Sequence, residues 1–116
     1  MRVHMSVSDD FKVMIVGADG EAVVYLVGEL DLAVRDLVVD ALTQASATKH
    51  RLVIDLSGTT FIDSTGLKAL VDVWRRRRAA GLELVVQEPS PAVMHTLQIA
   101  GLADLLPIDT TNRPTL

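Results

Sequence analysis

The sequence predicts a single α/β domain with a mixed, mostly parallel sheet of four to five strands that starts with a β-hairpin and is covered by three main helices. The chain has 116 residues, enough for one hydrophobic core but too few for two. Short apolar runs alternate with segments of helical periodicity, which is typical of parallel strands joined by helices. One Trp, one Tyr and two Phe are its aromatic residues, so aliphatic side chains must build the core. We expect a core domain over residues 11–108, an N-terminal extension at 1–10 and a mobile tail at 109–116.

Two apolar runs near the start predict the hairpin. Residues 11–16 and 21–27 have strand character, and the intervening Gly17-Ala18-Asp19-Gly20 contains the Asp and Gly that tight reversals prefer. A connection this short is too short for a parallel crossover, so the two strands must be antiparallel. The same turn is a poor nucleotide site, because it lacks the Gly-x-Gly-x-x-Gly pattern and the lysine of a P-loop.

The first helix is predicted over residues 33–47, after Gly28-Glu29-Leu30-Asp31 ends the second strand. Asp31 suits a helix cap or an acidic first turn. Glu29 and Asp31 therefore lie where a strand gives way to a helix, which is the edge of such sheets at which ligands and partners dock. The apolar face of this helix is formed by Leu37, Val38, Ala41, Leu42 and Ala45.

The central stretch combines a buried strand at 52–56, a loop, and a helix from 64 to 80 that ends at Gly81. Asp63-Ser64-Thr65 places three short polar side chains at the positive end of this helix, where anions are favoured. One cap would satisfy a helix start, so several candidate oxygens in a row suggest a further role. Gly66 disfavours the helix by about 1 kcal/mol relative to Ala, and a small residue there lets another group come close.

The last third of the chain predicts a strand, a helix and a weak closing strand. Residues 82–87 form a short apolar run. Ser90 and Pro91 supply a cap and a first-turn proline for a third helix that stops at Gly101. Residues 102–108 suggest a weak fifth strand that Pro107 interrupts.

Four consecutive arginines, residues 75–78, occupy the last turns of the second helix. Cations at this end complement the helix dipole, so we expect a solvated basic face with at least one side-chain stem against apolar surface. The tetrad lies at the opposite end of the helix from Ser64, and we therefore do not assign it to that site.

Composition excludes several function classes. A net charge of −4 gives no basic footprint for nucleic acid. The absence of cysteine excludes disulfides, thiolate metal sites and thiol nucleophiles. Three scattered histidines offer no paired metal spacing, and Ser64 does not lie in the Gly-x-Ser-x-Gly elbow that a triad with His95 would use. With no signal core or membrane-spanning run, we expect a cytoplasmic protein that touches no membrane.

Four short segments together carry a family resemblance. They occur in a compatible order and spacing between about residues 13 and 108, and the chain is similar in them to STAS domains of the anti-sigma factor antagonist family. The segments are Gly28-Glu29-Leu30-Asp31, Asp63-Ser64-Thr65-Gly66-Leu67, Ser90-Pro91-Ala92-Val93 and Ala100-Gly101-Leu102.

The resemblance implies a phosphorylation switch. In this family the unphosphorylated domain binds an anti-sigma factor that is also a serine kinase, and this releases the sigma factor for transcription. The kinase phosphorylates the serine after the motif aspartate, here Ser64, and a phosphatase reverses the modification. The chain would need no cofactor and would be a substrate and binding module rather than an enzyme. The implied partner surface comprises Glu29, Asp31, Asp63, Ser64, Thr65, Gly66, Leu67 and Lys68.

Lys68 departs from the small residue that relatives often carry, which points to a different choice of partner. The alternative function is a STAS adaptor subunit in a stress-sensing complex or a lipid-transport ATPase, not switched by phosphorylation. The tails of anion transporters resemble the same domain, and the lack of an accompanying membrane segment argues against that assignment.

Overall fold

Seven strands and three α-helices follow one another in the computed structural model, which describes residues 2–8, 10–46 and 50–110. A short 3₁₀ helix at Leu32–Val34 precedes the first α-helix. The strands are β1 (Arg2–Ser8), β2 (Phe11–Ala18), β3 (Glu21–Leu30), β4 (Arg51–Asp55), β5 (Thr59–Ile62), β6 (Glu83–Gln87) and β7 (Ile108–Asp109). The helices are α1 (Arg35–Ser46), α2 (Ser64–Ala79) and α3 (Pro91–Ile99).

The strands form one mixed sheet in the order β1-β2-β3-β4-β6-β7, and β5 pairs with β3. The β1–β2 and β2–β3 pairings are antiparallel, and every later pairing is parallel. The predicted hairpin turn is confirmed at Asp19 and Gly20, both of which have positive φ. The fold class predicted from the sequence is confirmed.

The expected count of four to five strands was too low for the described part of the chain. β1 lies in residues assigned to an N-terminal extension, where alternating Val3, Met5 and Val7 already form a strand pattern. β5 lies in a stretch expected to be a loop, and its short, β-branched sequence pairs with the end of β3. The weak closing strand expected within residues 102–108 is the two-residue β7, Ile108–Asp109. Residues 111–116 of the expected tail lie outside the described residues.

All three helices cover one face of the sheet. The crossovers run from β3 to β4, β4 to β6 and β6 to β7, always in the same direction across the sheet. Because such crossovers are right-handed, the intervening helices pack on the same side. The core therefore lies between the helices and one face of the strands. Its largest fully buried side chains are Leu26, Leu30, Leu42, Leu52, Ile54, Leu56, Leu70, Leu97, Val13, Val24, Val38 and Val86.

The arginine tetrad is divided between surface and core. Arg75, Arg76 and Arg78 are exposed, as expected, and the Arg78 guanidinium lies 5.4 Å from the centroid of the Trp74 ring. The expectation of a solvated face is wrong for Arg77, which is 3% exposed. Arg77 lies on the buried face of α2, four residues after the buried Val73, so its side chain points inward. Burial lowers the pKa of its guanidinium.

Arg77 joins three separate segments through backbone carbonyl groups. Its Nε donates to the Glu83 oxygen at 2.8 Å, and its terminal nitrogens donate to the Ser46 oxygen at 3.2 Å and the His50 oxygen at 2.9 Å. These carbonyls belong to the end of α1, the approach to β4 and the start of β6. Arg77 therefore fixes the helices against the sheet at the edge opposite Ser64.

We predict that Arg77→Met lowers the free energy of unfolding by about 2–4 kcal/mol, because the carbonyl oxygens of Ser46, His50 and Glu83 lose the charged donor that joins them. Urea denaturation followed by circular dichroism measures this change. Arg75→Met removes an exposed arginine from the same helix and should change the free energy by less than about 0.5 kcal/mol. Equal effects of the two substitutions would contradict the role assigned to Arg77.

Candidate functional site

The candidate site lies where β3 and β5 end side by side. β3 extends beyond its partner β4, and β5 pairs with this extension through Gly28–Thr59, Glu29–Phe61 and Leu30–Ile62. The 3₁₀ helix starts directly after β3, and α2 starts directly after β5. The structure thus brings the starts of two helical segments together at one edge of the sheet.

Asp63 is the N-cap of α2. Its Oδ1 accepts a hydrogen bond from the Gly66 N–H at 3.0 Å, and its carbonyl accepts the first helical bond from Leu67 at 2.9 Å. Its own N–H donates to the Leu30 oxygen at 3.2 Å, which anchors the helix start to β3. Because Asp63 provides the cap, Ser64 is left as the exposed first residue of the helix. Its hydroxyl is therefore accessible at the positive end of α2.

Gly66 permits a close approach between α2 and the ends of β3 and β5. A Cβ added here would overlap Leu30 Cδ2 and would lie 2.7 Å from Ile62 Cγ1 and 2.8 Å from the Leu30 oxygen. Gly66 is buried, so it positions Ser64 and Thr65 rather than forming exposed surface. The unfavourable helix propensity of glycine is accepted here because any side chain would push the first turn away from the sheet.

Three carboxylates belong to the end of β3 and to the starts of the two helical segments. Asp31 caps the 3₁₀ helix, and its Oδ1 accepts from the Ala33 N–H at 3.1 Å. Glu29 is exposed and pairs with Phe61 of β5. Together with half-buried Asp63, these side chains give the edge a negative charge.

The next residues of α2 face either the core or solvent. Leu67 is half-buried and packs against the core. Lys68 is 73% exposed, and its Nζ lies 3.1 Å from Asp72 Oδ2. Thr65 and Lys68 line a small groove between α1 and α2 together with Arg35.

Two exposed apolar side chains at this edge were missed by sequence reasoning. Leu32 of the 3₁₀ helix is 70% exposed, and Phe61 of β5 is 49% exposed. Phe61 precedes the buried Ile62 in β5, so its exposure could have been noticed only by predicting β5 and its alternation. Leu32 lies two residues after the buried Leu30 and belongs to the 3₁₀ helix, which was not predicted from the sequence. Large apolar side chains beside polar ones are typical of protein contact surfaces.

A buried polar network holds β5 in position, and it was also missed. The Thr59 hydroxyl, fully buried, donates to the Leu26 oxygen at 2.6 Å, and the Ser90 hydroxyl donates to the Thr59 oxygen at 2.6 Å. Asp55, at the end of β4, accepts from the Ser57 hydroxyl at 2.6 Å and from Gln87 at 2.8 Å. These bonds fix the loop before β5 and the start of α3, which confirms Ser90 as the predicted cap.

The described part of the chain offers neither a metal-binding cluster nor a membrane-spanning helix. Residues 2–8, 10–46 and 50–110 contain no cluster of three or more acidic and histidine side chains that could hold a metal ion. Within the same ranges, each helix is too short or too polar to span a lipid bilayer.

Comparison with known proteins identifies the family. The family model of the STAS domain matches residues 12–113 of this chain. The chain belongs to the STAS domain family. An anti-sigma F factor antagonist from Paenibacillus polymyxa is 32% identical over 92 residues, which span 77% of this chain and 78% of that protein. The crystal structure of an anti-sigma factor antagonist from Mycobacterium paratuberculosis has a TM-score of 0.81 at 28% identity and covers 92% of both chains.

The STAS domain also matches segments of much longer proteins. A probable sulfate transporter 4.2 from Arabidopsis thaliana is 27% identical over 74 residues, which span 61% of this chain. The match covers 11% of that transporter. This chain thus spans about a tenth of the length of that plant transporter. It spans more than three quarters of the Paenibacillus protein.

We predict that Gly66→Ala lowers the free energy of unfolding by about 1–3 kcal/mol, although alanine is the better helix former. The added methyl group would meet Leu30 and Ile62 and displace the first turn of α2. Chemical denaturation measures the loss. Ser64→Ala, two residues earlier on the exposed side of the same turn, should stay within about 0.5 kcal/mol of the parent. A stabilising effect of Gly66→Ala would show that the close approach is not required.

Proposed function

We propose that this STAS protein is an anti-sigma factor antagonist switched by phosphorylation of Ser64. In the unmodified state it binds an anti-sigma factor that is also a serine kinase, and the bound sigma factor is released. The kinase supplies ATP and Mg²⁺ and phosphorylates Ser64, which ends the binding, and a phosphatase restores it. The chain acts in the cytoplasm as a binding partner and substrate rather than as an enzyme.

The observation that carries the proposal is the exposed Ser64 hydroxyl on a helix start that Asp63 already caps. A phosphate there adds between 1.5 and 2 negative charges, roughly, and three acceptor oxygens. The positive end of α2 accommodates an anion, so the domain stays folded. The relative from Paenibacillus polymyxa, an anti-sigma F factor antagonist by name, supports the choice of partner class.

The charges around Ser64 explain how phosphorylation would release the partner. Glu29, Asp31 and Asp63 already make this edge acidic, so its partner must present basic or polar groups to it. A phosphate beside these carboxylates raises the negative charge and must be desolvated if a protein packs over it. A coupling free energy of about 1–3 kcal/mol, or 5–150-fold in affinity, is sufficient for regulation.

The proposed contact surface combines this acidic edge with apolar side chains. Glu29, Asp31, Ser64, Thr65 and Lys68 provide polar groups, and Asp63, Gly66 and Leu67 hold them in place. Leu32 and Phe61 add exposed apolar area on the same elements. Apolar side chains that become buried in an interface favour binding through the area that they remove from water.

We predict that a serine-kinase anti-sigma factor incubated with the chain and ATP places phosphate on Ser64, located by mass spectrometry. Ser64→Ala should abolish phosphorylation but retain kinase binding, whereas Ser64→Asp should weaken binding by about 5–150-fold in calorimetry. Thr65→Ala is the matched control and should still be phosphorylated. Phosphate found on Thr65 instead, or no binding to any candidate kinase from the source organism, would contradict the switch and favour an adaptor that is not phosphorylated.

We further predict that Leu32→Ser and Phe61→Ser each weaken kinase binding by about 5–30-fold, since both side chains lose apolar contact area at the interface. Ile99→Ser is the control, because Ile99 is 75% exposed at the far end of α3. Surface plasmon resonance with immobilised kinase compares the three variants. A loss of affinity for Ile99→Ser as large as that for Phe61→Ser would place the interface elsewhere.

A further inference from the structure

The edge strand β1 has an unusual distribution of side chains. Its polar residues His4 and Ser6 pair with Ile15 and Val13 of β2, whose side chains face the helices and the core. Its apolar residues Val3, Met5 and Val7 face the opposite, helix-free side and are 57%, 57% and 60% exposed. A strand that only bordered solvent would show the reverse pattern.

The helix-free side of the sheet continues this apolar surface inward from β1. Val3 pairs with Val16, and Met5 pairs with Met14, which in turn pairs with Tyr25 of β3. Met14, Val16 and Tyr25 are half-buried, so the most exposed apolar side chains of this side belong to the edge strand itself. Whatever covers the patch must therefore lie beside β1.

The backbone of β1 is equally open. β1 is an end of the sheet order in the described residues, so one side of its seven-residue backbone has no neighbouring strand there. Natural proteins protect such edges with proline, lysine, a bulge or a very short strand. Residues 2–8 contain neither proline nor lysine, and the β1–β2 register runs without a shift from Arg2 to Ser8.

We propose that β1 pairs antiparallel with β1 of a second copy of this chain, about a two-fold axis at Met5, so that two sheets join into one. The sequence of β1 is self-complementary in this register. Val3 lies opposite the partner's Val7, Met5 opposite the partner's Met5, and His4 opposite the partner's Ser6. The apolar side chains of both copies then form one continuous strip on the helix-free side.

The charges near β1 fit the same register. Arg2 is the charged residue of the strand, and it lies opposite the partner's Ser8. No like charges face each other along the pairing, where they would be destabilising. His4 Nε2 and Ser6 Oγ lie 3.3 Å apart within one strand. In the proposed pairing, each of them also lies opposite the other residue type of the second copy.

This dimer leaves the Ser64 sites open. A two-fold axis perpendicular to the sheet reverses the strand direction, so the two sites lie at opposite ends of the joined sheet. One dimer could therefore hold two partner molecules at once. The pairing concerns the unliganded chain and does not depend on Ser64, so its failure and a failure of the proposed switch are distinguishable.

Sedimentation equilibrium of the purified full chain tests the proposal first. We expect the mass of two chains, and we expect Met5→Lys, which places two lysines opposite each other at the axis, to halve it. Ile99→Lys makes the same kind of change at an exposed apolar residue of α3 and should leave the dimer intact. Circular dichroism confirms that the variants are folded. A single-chain mass for the unsubstituted protein at high concentration would overturn the proposal.

Single cysteines then test the register, since the natural sequence has none. Residues directly opposite each other in an antiparallel pair have Cβ atoms about 4.5–5.5 Å apart, close enough for oxidative cross-linking. Met5→Cys should cross-link with itself, and Val3→Cys should cross-link efficiently only when mixed with Val7→Cys. Val27→Cys, exposed on the same side but two strands inward, should not. Cross-linking of Val27→Cys as efficient as that of Met5→Cys would instead indicate face-to-face packing and reject the edge pairing.

Discussion

The contact of Gly66 with Leu30 is the constraint on which the site depends. It lets the first turn of α2 lie against the end of β3, where the Leu30 carbonyl accepts from the Asp63 N–H at 3.2 Å. The strand pair β3–β5 thereby fixes the distance between the two helix starts. Ser64 is exposed, whereas Gly66 in the same turn is buried and donates its N–H to Asp63. A modification of the Ser64 hydroxyl would therefore change the surface rather than the packing.

The opposite end of α2 is held against the sheet by a different kind of interaction. Arg77 gathers carbonyl groups from the end of α1, from His50 and from β6, which fixes α1 and α2 against the strands. A buried guanidinium is stabilising only when its donors are satisfied, and that requirement makes its position specific. With Gly66 at one end of α2 and Arg77 near the other, the helix that presents Ser64 is anchored at both ends.

The sequence was sufficient to predict the fold class, the three helices and the cap at Ser90, because these depend on local periodicity and local hydrogen bonds. It also located the segments of the other two caps, Asp31 and Asp63-Ser64-Thr65, without deciding between a cap and a first-turn acid for Asp31 or which of the three residues caps α2. Features that depend on distant partners were not predictable in this way. β5 is a strand only because β3 extends past β4 to meet it. Arg77 differs from its neighbours in the tetrad only because its position in the helix faces carbonyls from three other segments. Phe61 could be recognised as exposed only once β5 was placed, and Leu32 only once the 3₁₀ helix was placed.

We propose that phosphate on Ser64 alters the surface of the domain and leaves its fold unchanged. Two-dimensional ¹H–¹⁵N spectra of the chain before and after incorporation of phosphoserine at position 64 test this proposal. We predict that amide shifts change only at the end of β3, in β5 and in the first turn of α2, where the backbone surrounds the helix start. Changes spread across α1, β2 or the far end of α2 would show that the modification acts by rearranging the domain, and would contradict the account.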